Sequence, residues 1–248
     1  MNVTHAAFDS LFRPRPDCVE LADGFWLFLQ AAGDMGPSGE ASGNRDTALR
    51  SVGVDPADFR MVRQVHSRTV IDWFRIPPIG DRSSGTIPYG DGIMFDRDSC
   101  WAGVTVADCM PVFVEHAESG TAAILHSGWK GTGIVADAIH GICSRLDTGP
   151  EQLRVVLGPA ISVEAYAVPA ERAEGYAAAF GDTAVVTRNG QWYLDLETAN
   201  LGILRDIGVA HVRVVRSCTF SNAELGSYRR DGADRFVRML AVAGPFRR

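Results

Sequence analysis

The apolar positions of this chain fall mainly into short runs of strand length, separated by turns rich in Gly, Pro, Asn and Asp. Arg60–His66 (RMVRQVH) and Thr69–Phe74 read as one strand, or as a strand kinked at Ser67. Trp101–Val106 (WAGVTV), Pro111–Glu115 and Thr121–His126 (TAAILH) read as three more, with Ala107-Asp108-Cys109 breaking the first from the second. Leu153–Leu157 is an apolar strand ended by Gly158-Pro159, and His211–Arg216 is another. Val185–Leu196 hold Asn189-Gly190 between two apolar-rich flanks, the signature of a tight hairpin. The period changes over residues 131–146. There Ile134, Val135, Ala138, Ile139, Ile142, Cys143 and Leu146 recur at i, i+3, i+4, one face of an amphipathic helix. Residues 170–180 and 196–207 are also predicted to be helical. Residues 33–46 and 76–92, dense in Gly, Ser and Pro, are predicted loops. Hairpins mixed with strand–helix pairs predict an α/β or α+β domain with mixed sheets. Neither loop shifts the composition and no repeat is present, so 1–248 reads as a single domain.

Composition narrows the function classes. Apolar residues are 46% and charged residues 22% of the 248, which is ordinary globular usage and argues against disorder. The net charge of −6 gives no broad footprint for nucleic acid or an anionic membrane. No apolar run approaches the ~20 residues of a membrane span, and the opening MNVTHAAFDSLFRPRPD lacks the apolar centre of a secretory signal. The five cysteines are odd in number and form no CxxC, so no disulfide framework is expected and a reducing cytoplasm is the expected location. Of the 24 basic residues only Lys130 is a lysine.

Three apolar runs end in a potential metal ligand or nucleophile: His66, Cys109 and His126. Ligands of α/β sheets gather outside the carboxyl ends of strands. Should these runs be neighbours, two imidazoles and a thiolate converge, a set that suits Zn2+ with a fourth position open to water. The spacings of 43 and 17 residues form no local motif, so strand-end histidines and a small buried cysteine remain the plain alternative. His5, His116, His140 and His211 suggest no role beyond structure. Ser127-Gly128-Trp129-Lys130-Gly131 precedes a helix, and a glycine-rich turn there offers N–H groups and a positive dipole to an anion. The tail carries Ser227-Tyr228-Arg229-Arg230-Asp231, then Arg235 and Arg238, with Arg forks that match phosphate or carboxylate; a solvated charged stretch paired with Asp231 and Asp234 is the alternative.

Taken together, several segments resemble one family. Gln64-Val65-His66 is similar to its Q-V-H, and Asp91-Gly92-Ile93 to its A-D-[GA]-[LI]. Ala107-Asp108-Cys109-Met110-Pro111 is similar to A-D-C-x-P, and His126-Ser127-Gly128-Trp129-Lys130-Gly131 to H-A-G-W-[RK]-G. Gly158-Pro159-Ala160-Ile161 with Tyr166, Asp195-Leu196 with Ala199-Asn200, Cys218-Thr219, and Ser227-Tyr228-Arg229-Arg230-Asp231-Gly232 follow in order. The chain thus resembles the YfiH/laccase-domain, polyphenol oxidase-like family. The resemblance implies a layered α/β/β/α-type fold with mixed sheets and metal ligands at His66, Cys109 and His126. It also implies action on purine nucleosides, by phosphorolysis or by deamination of adenosine. A branch is linked to editing peptidoglycan precursors. The chain departs from the pattern where Phe28–Asp34 lack the arginine of T-R-x-G-G-V-S, and where Ala167 stands for the Glu after Tyr166. Asn44-Arg45 align with an N-R that follows the first of these segments.

The first functional expectation is therefore a zinc enzyme resembling purine nucleoside phosphorylase and adenosine deaminase. Its substrates would be a purine nucleoside and phosphate, bound by Lys130, Arg229, Arg230, Asn44 and Arg45, with Asp108 orienting a ligand or moving a proton. Zinc would acidify water toward a pKa of about 7 for attack at C6 of adenosine. An amide hydrolase with Cys109 as nucleophile and a His base is the second reading, and a non-catalytic binding protein the third. Copper oxidase chemistry has formal support from Met110 beside a His/Cys/His set, but six histidines with no H-x-H pair fall short of a multicopper centre.

Overall fold

The structure is a computed structural model that describes residues 1–37, 39–76 and 87–245. Seven strands form the larger sheet, in the order β1 (Asn2–Ala7), β14 (His211–Arg216), β10 (Leu153–Leu157), β8 (Met110–His116), β9 (Thr121–Ser127), β6 (Gly92–Asp96) and β5 (Val70–Asp72). β1 and β10 both run parallel to β14, whereas β8, β9 and β6 pair antiparallel, so the sheet is mixed. A five-stranded sheet follows the order β2 (Cys18–Ala22), β3 (Phe25–Phe28), β15 (Met239–Ala243), β7 (Trp101–Val106) and β4 (Phe59–Met61). A small third sheet joins β11 (Ala167–Val168), β13 (Gln191–Leu194) and β12 (Val185–Arg188).

The side-chain period of two sorts each strand between two cores. In β8, Phe113 faces the five-stranded sheet, where it stacks on Phe25 of β3 at 5.3 Å. Its neighbours Val112 and Val114 face the opposite side, against Ile134, Val135, Ala138, Ile139 and Ile142 of α2 (Ile134–Leu146). The helices α3 (Ala170–Phe180) and α4 (Leu196–Ile207) complete that side. On the outer face of the smaller sheet, Cys18, Phe28 and Leu240 pack against Ala48 and Leu49 of α1 (Glu40–Ser51). The result is an α/β/β/α stack. Because both faces of the larger sheet are covered, β8 and β9 read as unbroken apolar runs instead of alternating ones.

Three sequence expectations change. Residues 60–74 are two three-residue strands in different sheets: β4 runs beside β7, and β5 beside β6. The chain crosses between sheets at residues 62–69, where a buried carboxylate, described below, takes the N–H groups a strand ladder would use. The predicted loop 33–46 gives way to α1 from Glu40, whose Ala48 and Leu49 gain burial that outweighs a weak intrinsic pattern. The predicted loop 76–92 ends in β6, which begins at Gly92; its residues 77–86 lie outside the described residues. No helix among the described residues is long and apolar enough to cross a membrane.

Candidate metal centre

Two crossings between the sheets and one strand end build the site. The first crossing, from β4 to β5, carries His66; the second, from β7 to β8, carries Cys109. Each holds a non-glycine residue in the left-handed region, His66 at φ 58° and Asp108 at φ 81°. Such a conformation costs roughly 1–2 kcal/mol and needs compensation nearby.

Asp91 supplies it for the first crossing. Its fully buried carboxylate accepts from the backbone N–H groups of Val65 (3.2 Å), His66 (3.0 Å) and Ser67 (2.6 Å), and from Ser67 Oγ (2.8 Å). The same carboxylate lies 2.9 Å from His126 Nδ1. Pairing of β9 with β6 brings this about, since the His126 N–H donates to the Asp91 carbonyl at 2.7 Å. Gln64 ties the crossing to β7, accepting from Thr105 N and Oγ1 and donating to Thr105 O, all at 2.8 Å. At the second crossing Asp108 accepts from Thr219 Oγ1 (2.6 Å) and from the Arg229 N–H (2.7 Å), which fixes the turn ahead of Cys109.

The ligand atoms of His66, Cys109 and His126 come within 4.8 Å of one another. The two imidazoles meet edge to face at 4.9 Å between centroids. Burial alone would raise the Cys109 thiol; the charge and hydrogen bonds of His126, followed by those of His66, outweigh it and bring the thiol down to about 6. Burial would lower His126, yet Cys109 and Asp91 hold it up at about 10. Burial raises Asp91, but His126 and the Ser67 N–H and hydroxyl bring it down to about 2. The thiol is thus drawn toward the thiolate form that a metal ion requires. This donor set fits a zinc ion: a thiolate, two imidazoles, and a partner on Nδ1 that leaves His126 Nε2 as the coordinating nitrogen. Gly128 is shaped to the sulfur, because a Cβ there would stand 2.6 Å from Cys109 Sγ.

The three ligands open into a cavity of about 610 Å³. Arg229 and Asp108 line it, and so do Tyr166, Arg172, Tyr228, Phe236 and Arg238. Lys130, Arg230, Asn44 and Arg45 do not. Lys130 is exposed, its ammonium 5.3 Å from the Trp129 ring. The Arg230 guanidinium is spent on the carbonyls of Thr219, Asn222 and Leu225 and on Asp231. Asn44 and Arg45 donate to the carbonyls of Asp34 (3.2 Å) and Gly36 (3.0 Å), shaping the strap that ends at Pro37 on the cavity rim. Asp108, expected to orient a ligand or move a proton, has each carboxylate oxygen engaged by a donor. Sequence reasoning did not single out Asp91 as a site residue, although it lies inside the quoted Asp91-Gly92-Ile93 segment. It also overlooked Arg63 and Arg172, which no local spacing marks, whereas Arg238 belongs to the tail cluster of arginines.

The lining of this acidic protein's cavity is positive: Arg63, Arg172, Arg229 and Arg238 stand against one acid, Asp108. Arg238 is neutralised by a two-pronged pair with Asp34 at 2.7 and 2.8 Å. Arg63 lies 5.4 Å over the Tyr89 ring.

Residues 34–244 match the family model described as multi-copper polyphenol oxidoreductase laccase. A purine nucleoside phosphorylase of Deinococcus radiodurans is 31% identical over 206 residues, covering 83% of this chain and 77% of that one. A purine nucleoside phosphorylase of Streptomyces coelicolor is 32% identical, covering 82% and 83%. Adenosine deaminase RL5, from an unknown prokaryotic organism, is 30% identical, covering 74% and 73%. Among solved structures, YlmD of Geobacillus stearothermophilus superposes with a TM-score of 0.83 at 23% identity, covering 96% of this chain and 99% of that one. Protein YfiH of Bacillus licheniformis gives 0.78, also at 23% identity, with coverage of 95% and 96%.

Proposed function

Given that the chain belongs to the multi-copper polyphenol oxidoreductase laccase family, we propose that it is a zinc-dependent purine nucleoside enzyme, acting by phosphorolysis of the glycosidic bond and by deamination of adenosine. The observation that carries this reading is the convergence of His66, Cys109 and His126 in a cavity of nucleoside size. Relatives named for those two activities support it.

In this reading His66, Cys109 and His126 hold the ion. When bound, zinc supplies Lewis acidity, acidifying water and polarising the substrate. Asp91 keeps His126 in the tautomer that presents Nε2 and locks the crossing that presents His66. Asp108 holds the Cys109 turn against the C-terminal segment. Tyr228 and Phe236, edge to face at 5.0 Å, offer apolar ring surface to a purine base. Copper oxidation is a poorer match. Met110, the axial ligand it would need, is packed in the helix-side core, and the described residues hold one three-ligand cluster.

One product assay tests the reading. Zinc-loaded protein is incubated with adenosine and with inosine, with and without phosphate, and the products are identified by mass. Free base plus ribose 1-phosphate, formed only with phosphate, supports phosphorolysis; inosine formed from adenosine without phosphate supports deamination. Neither product in any tube overturns the reading. The low-lying Cys109 thiolate beside His126 favours a second reading, an amide hydrolase with Cys109 as nucleophile. Metal separates the two: a chelator abolishes zinc-dependent turnover, whereas it frees the thiolate that an amide hydrolase requires.

A further inference from the structure

We propose that Tyr166, Arg172 and Arg229 form an oxyanion subsite in the cavity of His66, Cys109 and His126, and that its ligand is a tetrahedral phosphate. This deepens the phosphorolytic reading above and rests on it for the role of phosphate as co-substrate.

Arg172 is the third residue of α3, and its guanidinium lies 4.3 Å from the Trp129 ring centroid. Stacking fixes the plane of the fork while leaving its N–H edge to other partners. Among the described residues that guanidinium has no hydrogen bond and no ion pair. Arg229 stacks over Tyr166 at 5.5 Å, gives one N–H to the Ala167 carbonyl at 2.8 Å, and has its backbone anchored on Asp108. Its remaining side-chain N–H groups have no partner among the described residues. Ala167 stands where the family pattern carries Glu, so no carboxylate from that position neutralises Arg229.

Tyr166 lies under Arg229 and shares the cavity lining with Arg172. It is 8% exposed and lines the cavity, yet its hydroxyl has no hydrogen-bond partner among the described residues. The hydroxyl oxygen is not among the buried unpaired atoms, so it is open to a ligand from the cavity. Burial holds this phenol above its usual range, so it remains a donor, and it lines the same cavity as both guanidinium groups. Two planar forks and one O–H, all donors, complement an anion with several acceptor oxygens. The ligand is inorganic phosphate or the phosphate of a nucleotide; both present the same chemistry.

The test is equilibrium binding to zinc-loaded protein, read by calorimetry or by phosphorus NMR, so that it stands apart from turnover. Inorganic phosphate binds saturably to the parent protein. Arg172→Ala weakens it roughly tenfold or more, and Arg172→Lys recovers part of the loss. Tyr166→Phe, which keeps the ring and the stacking, weakens it several-fold. In turnover the same changes raise KM for phosphate far more than KM for the nucleoside. A nucleoside 5′-monophosphate that binds tightly where inorganic phosphate does not identifies the nucleotide as the source; displacement of free phosphate by excess nucleotide identifies a shared subsite. Phosphate and nucleotide affinities unchanged in Arg172→Ala, with its melting temperature intact, overturn the subsite even where phosphorolysis is observed. Phosphate binding lost in Arg172→Ala, in a protein that turns over no nucleoside, supports the subsite and sinks the reaction instead.

Discussion

Asp91 does more for this site than its place in the sequence suggests. One carboxylate accepts from three consecutive backbone N–H groups and the Ser67 hydroxyl while holding His126 Nδ1. Asp91→Asn keeps the size but puts an amide donor among donors. Metal affinity should fall about 10–100-fold, as measured by competition with a chromogenic chelator. Gly128→Ala is a sharper probe. A methyl there collides with Cys109 Sγ, so the variant should fold yet retain substoichiometric zinc by elemental analysis. Asp34 provides a pH test remote from the metal. Burial raises its pKa, but the hydrogen bonds and charge of Arg238 bring it below the ordinary carboxylate value. A depressed acid stabilises the fold above its unfolded pKa, about 3.9, and loses that contribution as pH falls below it. Asp34→Asn should therefore melt below the parent protein at pH 7, and the gap should narrow as pH falls below about 3.9. At this scale the ligands were legible because each ends an apolar run. Arg172 was not: it is an ordinary polar residue of α3 until Trp129 is packed beside it.

Elements with a strong period were legible. The spans 170–180, 196–207 and 211–216 coincide with α3, α4 and β14, and Asn189-Gly190 makes the turn between β12 and β13 with both residues at positive φ. Gly190→Ala should cost about 1 kcal/mol, read as a lowered melting temperature, because φ of 76° burdens any Cβ. Other elements gave no clear signal for physical reasons. β1 is a largely exposed strand with no alternating apolar pattern and gains its place by pairing with β14. β4 and β5 are three residues long, too short for a period to register. α1 carries few apolar residues and depends on the sheet beneath it. β2 and β3 were passed over although Asp23-Gly24 joins them, a hairpin signal of the same kind as Asn189-Gly190.

At the scale of the molecule, the layers matter because the site draws on both sheets. Core substitutions far from the cavity act through that arrangement. Phe113, wedged between the sheets against Phe25, is a measure of it: Phe113→Ala should cost about 3–5 kcal/mol in denaturant titration. Metal should stabilise the whole fold by mass action. Free zinc at a thousand times its Kd adds about 4 kcal/mol, on the order of 10 °C in melting temperature for a chain of this size. Chelation should remove that increment from the parent protein and leave the melting temperature of Cys109→Ala unmoved.

The two crossings that carry His66 and Cys109 turn the site into a staple across the sandwich. Sliding one sheet against the other by a fraction of a strand spacing would separate the ligands before it broke a single ladder. The earliest excursion of this protein on heating should accordingly be a shear between layers, registered as zinc release while amide protons within β8 and β9 stay protected from exchange. In this molecule the bound ion would be a strain gauge for the seam.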